Sequence, residues 1–514
     1  MTARSARVTL VAAACGLVAG GLYWRTLAAQ FVWDDHVLIV RNASLGQWAE
    51  LWRCFTTPVT AGDDVTYYRP ILMLSYLVDR HVWGLDPMGF HLTNVALHAV
   101  DTALVCGLAF AYTGSLVAGA IGALLFACHP IQAQAVSLIL GRNDLLLVPP
   151  VVGMLLAARS GLGVAPCLLL YATALWTKET GIIAPMLLVA CETLSPEGGP
   201  RRGGVRWGAL IVGSLALALV YLGVRWRVLG AAIALAPSTS PEASRGVQAV
   251  AIFGYYARHV LFPWSFSPAP YTPALALGAS LLSALLFTLA FAAVLARQLL
   301  KAPATAAGLL FFATALLPVL GLVPMQLPIL EHRTYLPMVG LSLFVASTVA
   351  AREGRAILVA TPVLASLALA TSVRLPIFHD DRSLWAAAVE RVPDSAYAHQ
   401  GNGIALTHDG LHEVAVAEFR EVLRLDPDFP RARYELSLAL DRADRRHEAI
   451  ATIEEQLRLH PRDVAAWNAL AYFWKRSNDP GKSEAALRQG LLVDPTNPVL
   501  LANLRELLGD RTPP

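Results

Sequence analysis

Long apolar runs alternate with short polar interruptions from the N-terminus to about residue 375, and the pattern then changes to amphipathic helices of regular period. A helix needs about 20 mostly apolar residues to cross a bilayer. The runs predict about eleven spans, at 8–29, 90–113, 114–128, 143–158, 161–176, 179–193, 207–228, 273–298, 304–323, 334–350 and 354–372. The first reads as an uncleaved signal anchor, because its apolar core ends without a small-residue cleavage pattern. The stretch 247–263 is apolar but carries Arg258, His259 and Pro263, and reads as an interfacial or re-entrant helix. Arg225 and Arg258 read as interfacial anchors.

Beyond residue 375 the period is set by proline. Pro393, Pro427, Pro461 and Pro495 are 34 residues apart, which is the spacing of tetratricopeptide (TPR) repeats. With proline at repeat position 32, the repeats are 396–429, 430–463 and 464–497. They place small residues (Gly403, Ala415, Ser437, Ala449, Ala471) where paired helices approach, and Phe419, Ile453 and Leu487 between them. A partial repeat precedes them and a capping helix follows. The expected fold is all-α: a polytopic helical bundle over 1–375, with a first outer loop at 30–89, and a TPR α-solenoid over 376–514.

Composition sharpens this division. The chain is 56% hydrophobic and 15% charged, well below the quarter or so of charged residues in a soluble domain. Residues 1–375 hold 23 Lys+Arg and 15 Asp+Glu, and residues 376–514 hold 17 and 22, so a basic membrane part is joined to an acidic soluble part. No basic run suggests nucleic acid. The six cysteines form no CxxC pair and read as neither a disulfide framework nor a zinc site. Arg4 and Arg7, then Arg201, Arg202 and Arg206, then Arg297 and Lys301, then Arg352 and Arg355 flank spans on one side, which makes that side cytoplasmic. The opposite side receives the 30–89 loop, His129, Lys178-Glu179, Glu331-His332-Arg333 and the TPR region. The Ala, Arg, Leu and Gly bias suggests a bacterial gene, hence an inner membrane with a periplasmic TPR domain.

Polar residues within such a chain are few. Ionisable groups deep in hydrocarbon cost at least about 2.5–3.5 kcal/mol and usually face a functional cavity. Asp34 and Asp35 follow the first span. Two adjacent carboxylates can raise one another's pKa, divide the roles of base and orienter, or bind a divalent cation through open oxygens. Asp35 is slightly favoured as the base. Asp63-Asp64 reads as a turn. His91, Asn94 and His98 share one helix face. Arg333, Arg142, Lys178 and His129 add basic or polar side chains, of which Arg333 has a planar fork that can grip two oxygens of an anion.

The order of motifs is Trp33-Asp34-Asp35-His36, Tyr68-Arg69-Pro70, His91-xx-Asn94-xxx-His98, His129-Pro130, Gly141-Arg142-Asn143-Asp144, Lys178-Glu179-Thr180-Gly181 and Glu331-His332-Arg333-Thr334-Tyr335, with a TPR array after it. This order resembles the transmembrane and TPR-containing protein O-mannosyltransferase family, within the GT-C superfamily of polytopic glycosyltransferases. The resemblance covers nearly the whole chain. After His129-Pro130, however, Ile131-Gln132-Ala133-Gln134 stands where the family commonly carries a second His and a Glu, so contacts made there have no counterpart.

The resemblance implies a transferase that moves a sugar such as mannose from a polyprenyl-phosphate donor to a Ser/Thr protein acceptor on the non-cytoplasmic side. It implies Asp34 and Asp35 as the catalytic pair. The donor phosphate and sugar would meet Arg333, Glu331, His129, Arg142, Lys178 and His91. A TPR groove would recruit the acceptor. A non-enzymatic membrane-anchored TPR scaffold is the alternative, although about eleven spans exceed what an anchor needs. A lipid transporter fits less well, since residues 1–375 show no internal repeat.

Overall fold

A computed structural model describes residues 3–61, 65–194, 206–231, 245–264, 267–268, 279–322 and 329–509. Asp63, Asp64, Arg201, Arg202 and the start of the 273–298 run lie outside the described residues. The described chain is helical throughout apart from one hairpin, Val59–Ala61 against Val65–Tyr67, antiparallel with Val59 opposite Tyr67. Two compact units separate at Ser383/Leu384.

The chain is an integral membrane protein. Each of the eleven apolar runs overlaps a described helix, though some of these, such as Val164–Thr177, are short for a span. Six of the described helices are long and apolar enough to cross a bilayer: Ala3–Leu22, Pro87–Thr113, Ile139–Arg159, Trp207–Leu229, Leu281–Lys301 and Gly354–Phe378. The bent pair Leu116–Cys128 and Pro130–Ser137 adds a seventh if it is one span. The helices shorten where the backbone changes pitch. Leu116–Cys128 stops at His129 because Pro130 has no N–H to continue the ladder, and a 3-10 turn follows. The stretch expected to be interfacial forms the helix Arg245–Leu261, with Ile252, Tyr256 and Val260 buried.

Small residues let these helices approach, as expected where lipid supplies no hydrophobic driving force between them. Ala3–Leu22 packs along Pro87–Thr113, and a Cβ on Gly16 would lie 2.7 Å from the Ala99 carbonyl oxygen. Pro303–Leu316 crosses Tyr335–Ala350 at a pair of glycines, and a Cβ on Gly340 would lie 2.6 Å from the Gly308 carbonyl oxygen.

The second unit continues the helix Asp381–Arg391 into the antiparallel pairs Ala396–His408/His412–Leu425, Ala432–Arg442/Arg446–Leu459 and Val464–Arg476/Pro480–Val493, and ends on Pro498–Leu508. The helices that finish at Arg391, Leu425, Leu459 and Val493 each stop two residues before a periodic proline. Ser395, Asp463 and Asn497 cap the helices that follow Pro393, Pro461 and Pro495, and Asp479 caps Pro480–Val493 within the third repeat. Ala415, Ala449, Ile453, Ser437 and Phe419 are all at most 1% exposed. Gly403 leaves room for the Phe419 ring, which a Cβ there would meet at 2.8 Å. The boundary set by packing falls eight residues beyond the charge boundary at 375. Leu375 and Phe378 are buried, and Asp381 is tied back to the loop after the first span.

Candidate active site

The loop after Ala3–Leu22 makes its sharpest turn at Trp33, whose φ of 60° is left-handed. For a bulky residue that conformation costs about 1–2 kcal/mol and persists only where neighbours hold it. The Trp33 N–H donates to Asp381 Oδ1 at 2.8 Å. The Asp34 carbonyl then accepts from the N–H groups of Val37 and Leu38, opening a single π-helical turn, His36–Val40. Such turns are frequent at functional sites.

The two aspartates occupy different environments. Asp35 is fully buried; its Oδ2 accepts from the Val32 N–H at 3.1 Å, and its Oδ1 has no hydrogen-bond partner. Asp34 is half-buried. Burial pushes the Asp34 carboxyl up to about 6 and the Asp35 carboxyl up to about 7, the latter opposed by the Val32 N–H and reinforced by Asp34. Both therefore sit near neutrality. His36 Nε2 lies 2.8 Å from Asp381 Oδ2, and that bond raises the imidazole above its ordinary value.

A basic cluster lies beside this loop. Arg69 forms a two-pronged pair with Glu179, at 3.0 and 2.6 Å, and lies over the Tyr67 ring at 4.2 Å. Arg225, on the span Trp207–Leu229, lies 3.9 Å from the same carboxylate. Lys178 Nζ donates to Asp144 Oδ1 at 2.7 Å, and His332 Nε2 is 4.0 Å from Asp144 Oδ2. Arg333 is half-buried and within electrostatic reach of Asp144, Tyr67, Tyr256 and Arg69; burial lowers its guanidinium pKa. Four basic side chains, Arg69, Lys178, Arg225 and Arg333, thus gather around two carboxylates, Asp144 and Glu179. Tyr67, under Arg69, is within electrostatic reach of Glu179, Arg333 and Asp34.

The other expected site residues lie in separate networks. Arg142 is wholly buried: it pairs with Asp79 at 2.6 Å, and donates to Asn94 Oδ1 at 2.8 Å and to the Phe90 carbonyl at 2.7 Å. Both carboxylate oxygens of Glu331 lie 2.6 Å from Arg374 Nη2. His129 is held between the Val260 carbonyl at 2.9 Å and the Ile131 N–H at 3.2 Å. His91 reaches the Gln30 carbonyl at 3.3 Å, at the start of the acidic loop. Asn94 holds the Val136 and Leu138 carbonyls, and His98 meets Tyr335 Oη at 2.7 Å, so the shared face serves packing between helices. Gln134, at the place of the family departure, accepts from the His332 N–H at 2.9 Å and so positions the turn carrying Arg333. Among the described residues no group of three His, Cys, Asp or Glu side chains is arranged to hold a metal ion.

Arg225 and Tyr67 join the cluster without having stood out in the sequence. Arg225 had a signal, a charge inside a span, which reads equally as an anchor. Tyr67 had none.

No family model matches the chain. Over 201 residues it is 33% identical to the protein O-mannosyl-transferase Tmtc1 of Drosophila melanogaster, covering 36% of this chain and 23% of that protein. Over 140 residues it is 39% identical to the protein O-mannosyl-transferase tmtc2 of Xenopus laevis, covering 26% and 16%. Over 190 residues it is 31% identical to TMTC3 of Mus musculus, covering 35% and 19%. The chain therefore spans less than a quarter of the length of these relatives. Among solved structures, MamA from Desulfovibrio magneticus is 21% identical over 24% of this chain and 71% of its own, at a TM-score of 0.23, too slight to bear on the fold. The chain is similar, over the matched part, to proteins named protein O-mannosyl-transferases.

Proposed function

We propose that the chain is a membrane glycosyltransferase that moves a sugar, mannose by similarity to its relatives, from a polyprenyl-phosphate donor to a Ser or Thr hydroxyl of a protein. The observation that supports this reading is a half-buried aspartate, Asp34, on the loop after the first span, within electrostatic reach of the same tyrosine, Tyr67, as Arg69 and Arg333 of the basic cluster. A general base works best with a pKa close to the working pH. Asp34 serves as the base, because its side chain is less enclosed than that of Asp35. Asp35 orients the loop through the Val32 N–H.

In the transfer, the acceptor oxygen forms a bond to the anomeric carbon while its proton passes to Asp34. The bond from that carbon to the donor phosphate breaks, and the polyprenyl phosphate leaves with the electron pair. Negative charge grows on the leaving phosphate, and fixed cations in a poorly hydrated site stabilise it. Arg333 is the principal candidate, with Lys178 and Arg69 held in place by their carboxylate partners. His91, Glu331, His129 and Arg142 act from outside this contact, by holding the helices that carry it.

The positive-inside pattern of Arg4, Arg7, Arg206, Arg297, Lys301, Arg352 and Arg355 puts the N-terminus in the cytoplasm and the acidic loop on the other side. In a bacterium that is the periplasmic face of the inner membrane, where the TPR unit recruits the acceptor. The test uses the full chain reconstituted with polyprenyl-phosphate mannose and Ser/Thr peptides. Wild type transfers the sugar and Asp34→Asn does not; equal transfer by both would sink the reading.

A further inference from the structure

We infer that Asp381 is a positioning residue for the acidic loop, holding the turn that presents Asp34 and Asp35; this rests on the transferase reading above. Asp381 lies about 350 residues along the chain from the loop it grips, and it uses both carboxylate oxygens to do so. Oδ1 accepts the Trp33 N–H at 2.8 Å and Oδ2 pairs with His36 Nε2 at 2.8 Å. These two partners bracket the aspartate pair, one residue before it and one after. Between them the backbone takes the left-handed conformation at Trp33 and enters the π turn at His36. A third bond, from the Gln30 N–H to the His379 carbonyl at 2.8 Å, fastens the start of the same loop to the same segment.

Two bonds from one carboxylate set both the position and the rotation of the short arc between them. Without Asp381, the turn at Trp33 and His36 loses both of these bonds, and both aspartate side chains shift with the backbone. A shift of about 1 Å in a reacting group can cost about a hundredfold in rate. An ordinary explanation for Asp381 is also available: it is the first residue of the helix Asp381–Arg391, where a carboxylate favours the helix dipole. Asp380 separates the two. Its Oδ1 accepts the Ser383 N–H at 2.8 Å, so it supports the same helix end, and its Oδ2 lies 2.9 Å from His379 Nδ1. A role confined to the helix end would make the two aspartates equivalent. A role in the loop would make only Asp381 matter.

The experiment uses the full chain in detergent and reads two quantities on each variant. One is hydrogen exchange of the Trp33 amide. The other is kcat and donor KM for transfer from polyprenyl-phosphate mannose to a Ser/Thr peptide. Asp381→Ala is expected to speed Trp33 exchange and to lower kcat, each by about tenfold or more, with donor KM within about twofold. Asp381→Asn keeps an oxygen for the Trp33 N–H and restores most of the protection and rate. Asp380→Ala leaves both close to wild type. The inference is overturned if Asp381→Ala leaves Trp33 exchange unchanged, if exchange rises while kcat holds, or if Asp380→Ala reproduces the Asp381→Ala values. A wild-type chain that transfers no sugar overturns the transferase reading and the catalytic part of this one; the Trp33 exchange ratios then decide on their own whether Asp381 holds the turn.

Discussion

Replacing Asp35 with asparagine should stabilise the protein in alkali while impairing transfer. Burial raises the Asp35 carboxyl from 3.8 to about 7. The folded state therefore binds this proton more tightly than the unfolded state does. The stabilisation that results is complete below pH 3.8 and is lost as pH rises through about 7. Above that, holding the group ionised costs the fold about 4 kcal/mol, at ~1.4 kcal/mol for each tenfold in the proton equilibrium. Between pH 5 and pH 8 the wild type loses about 3 kcal/mol of stability from this one group. Asp35→Asn removes that loss. The asparagine still offers an oxygen to the Val32 N–H, but its amide N–H groups enter the place of the unpartnered Oδ1, at a cost of about 1–3 kcal/mol. That cost does not depend on pH, so it cancels when the two conditions are compared. The assay is thermal unfolding of both proteins in one detergent at pH 5 and pH 8. The Tm advantage of the variant should be larger at pH 8, by the equivalent of about 3 kcal/mol. An equal shift at both pH values would refute the reasoning.

Three further outcomes follow from the same geometry. Glu179→Gln leaves Arg69 and Arg225 without their shared carboxylate and should cost about 3–5 kcal/mol, read as a lower Tm in detergent. Arg333→Lys keeps the charge but loses the planar fork; single-turnover transfer should fall by about tenfold. Gly340→Val forces atoms into the Gly308 backbone and should destabilise by about 1–3 kcal/mol or more, measured by thermal unfolding, without altering the acidic loop.

Most of the architecture is legible in the chain because two simple periods write it. Lipid demands long apolar helices, so the runs that coincide with helices stand out. The 34-residue proline period marks the repeats, because each periodic proline stands two residues past a helix end, where it cannot continue that helix. Asp34 and Asp35 by type alone would read as a turn, and stand out because they follow the first span, on the side opposite the arginine clusters, within the order of motifs. What the pattern hides is pairing across the fold. Glu331 looks like a ligand-facing acid until Arg374, over 40 residues away, closes on it. Arg142 looks free to bind phosphate, yet Asp79, Asn94 and the Phe90 carbonyl surround it. His129 has the chemistry to contact a sugar but holds the Val260 carbonyl instead. Arg225 looks like an anchor, and only the approach of Glu179 brings it into the basic cluster. Asp34 and Asp35 are equivalent by type, and only the structure separates them, with Asp35 fully buried and Asp34 half-buried.

The central claim is that Asp34 takes the acceptor proton while the basic cluster receives a leaving phosphate. The most direct measurement is single-turnover transfer by the full chain from polyprenyl-phosphate mannose to a Ser/Thr peptide, with donor binding recorded on the same samples. Asp34→Asn should bind donor within about twofold of wild type and lose transfer by about a hundredfold or more. Transfer by Asp34→Asn at the wild-type rate would contradict the account.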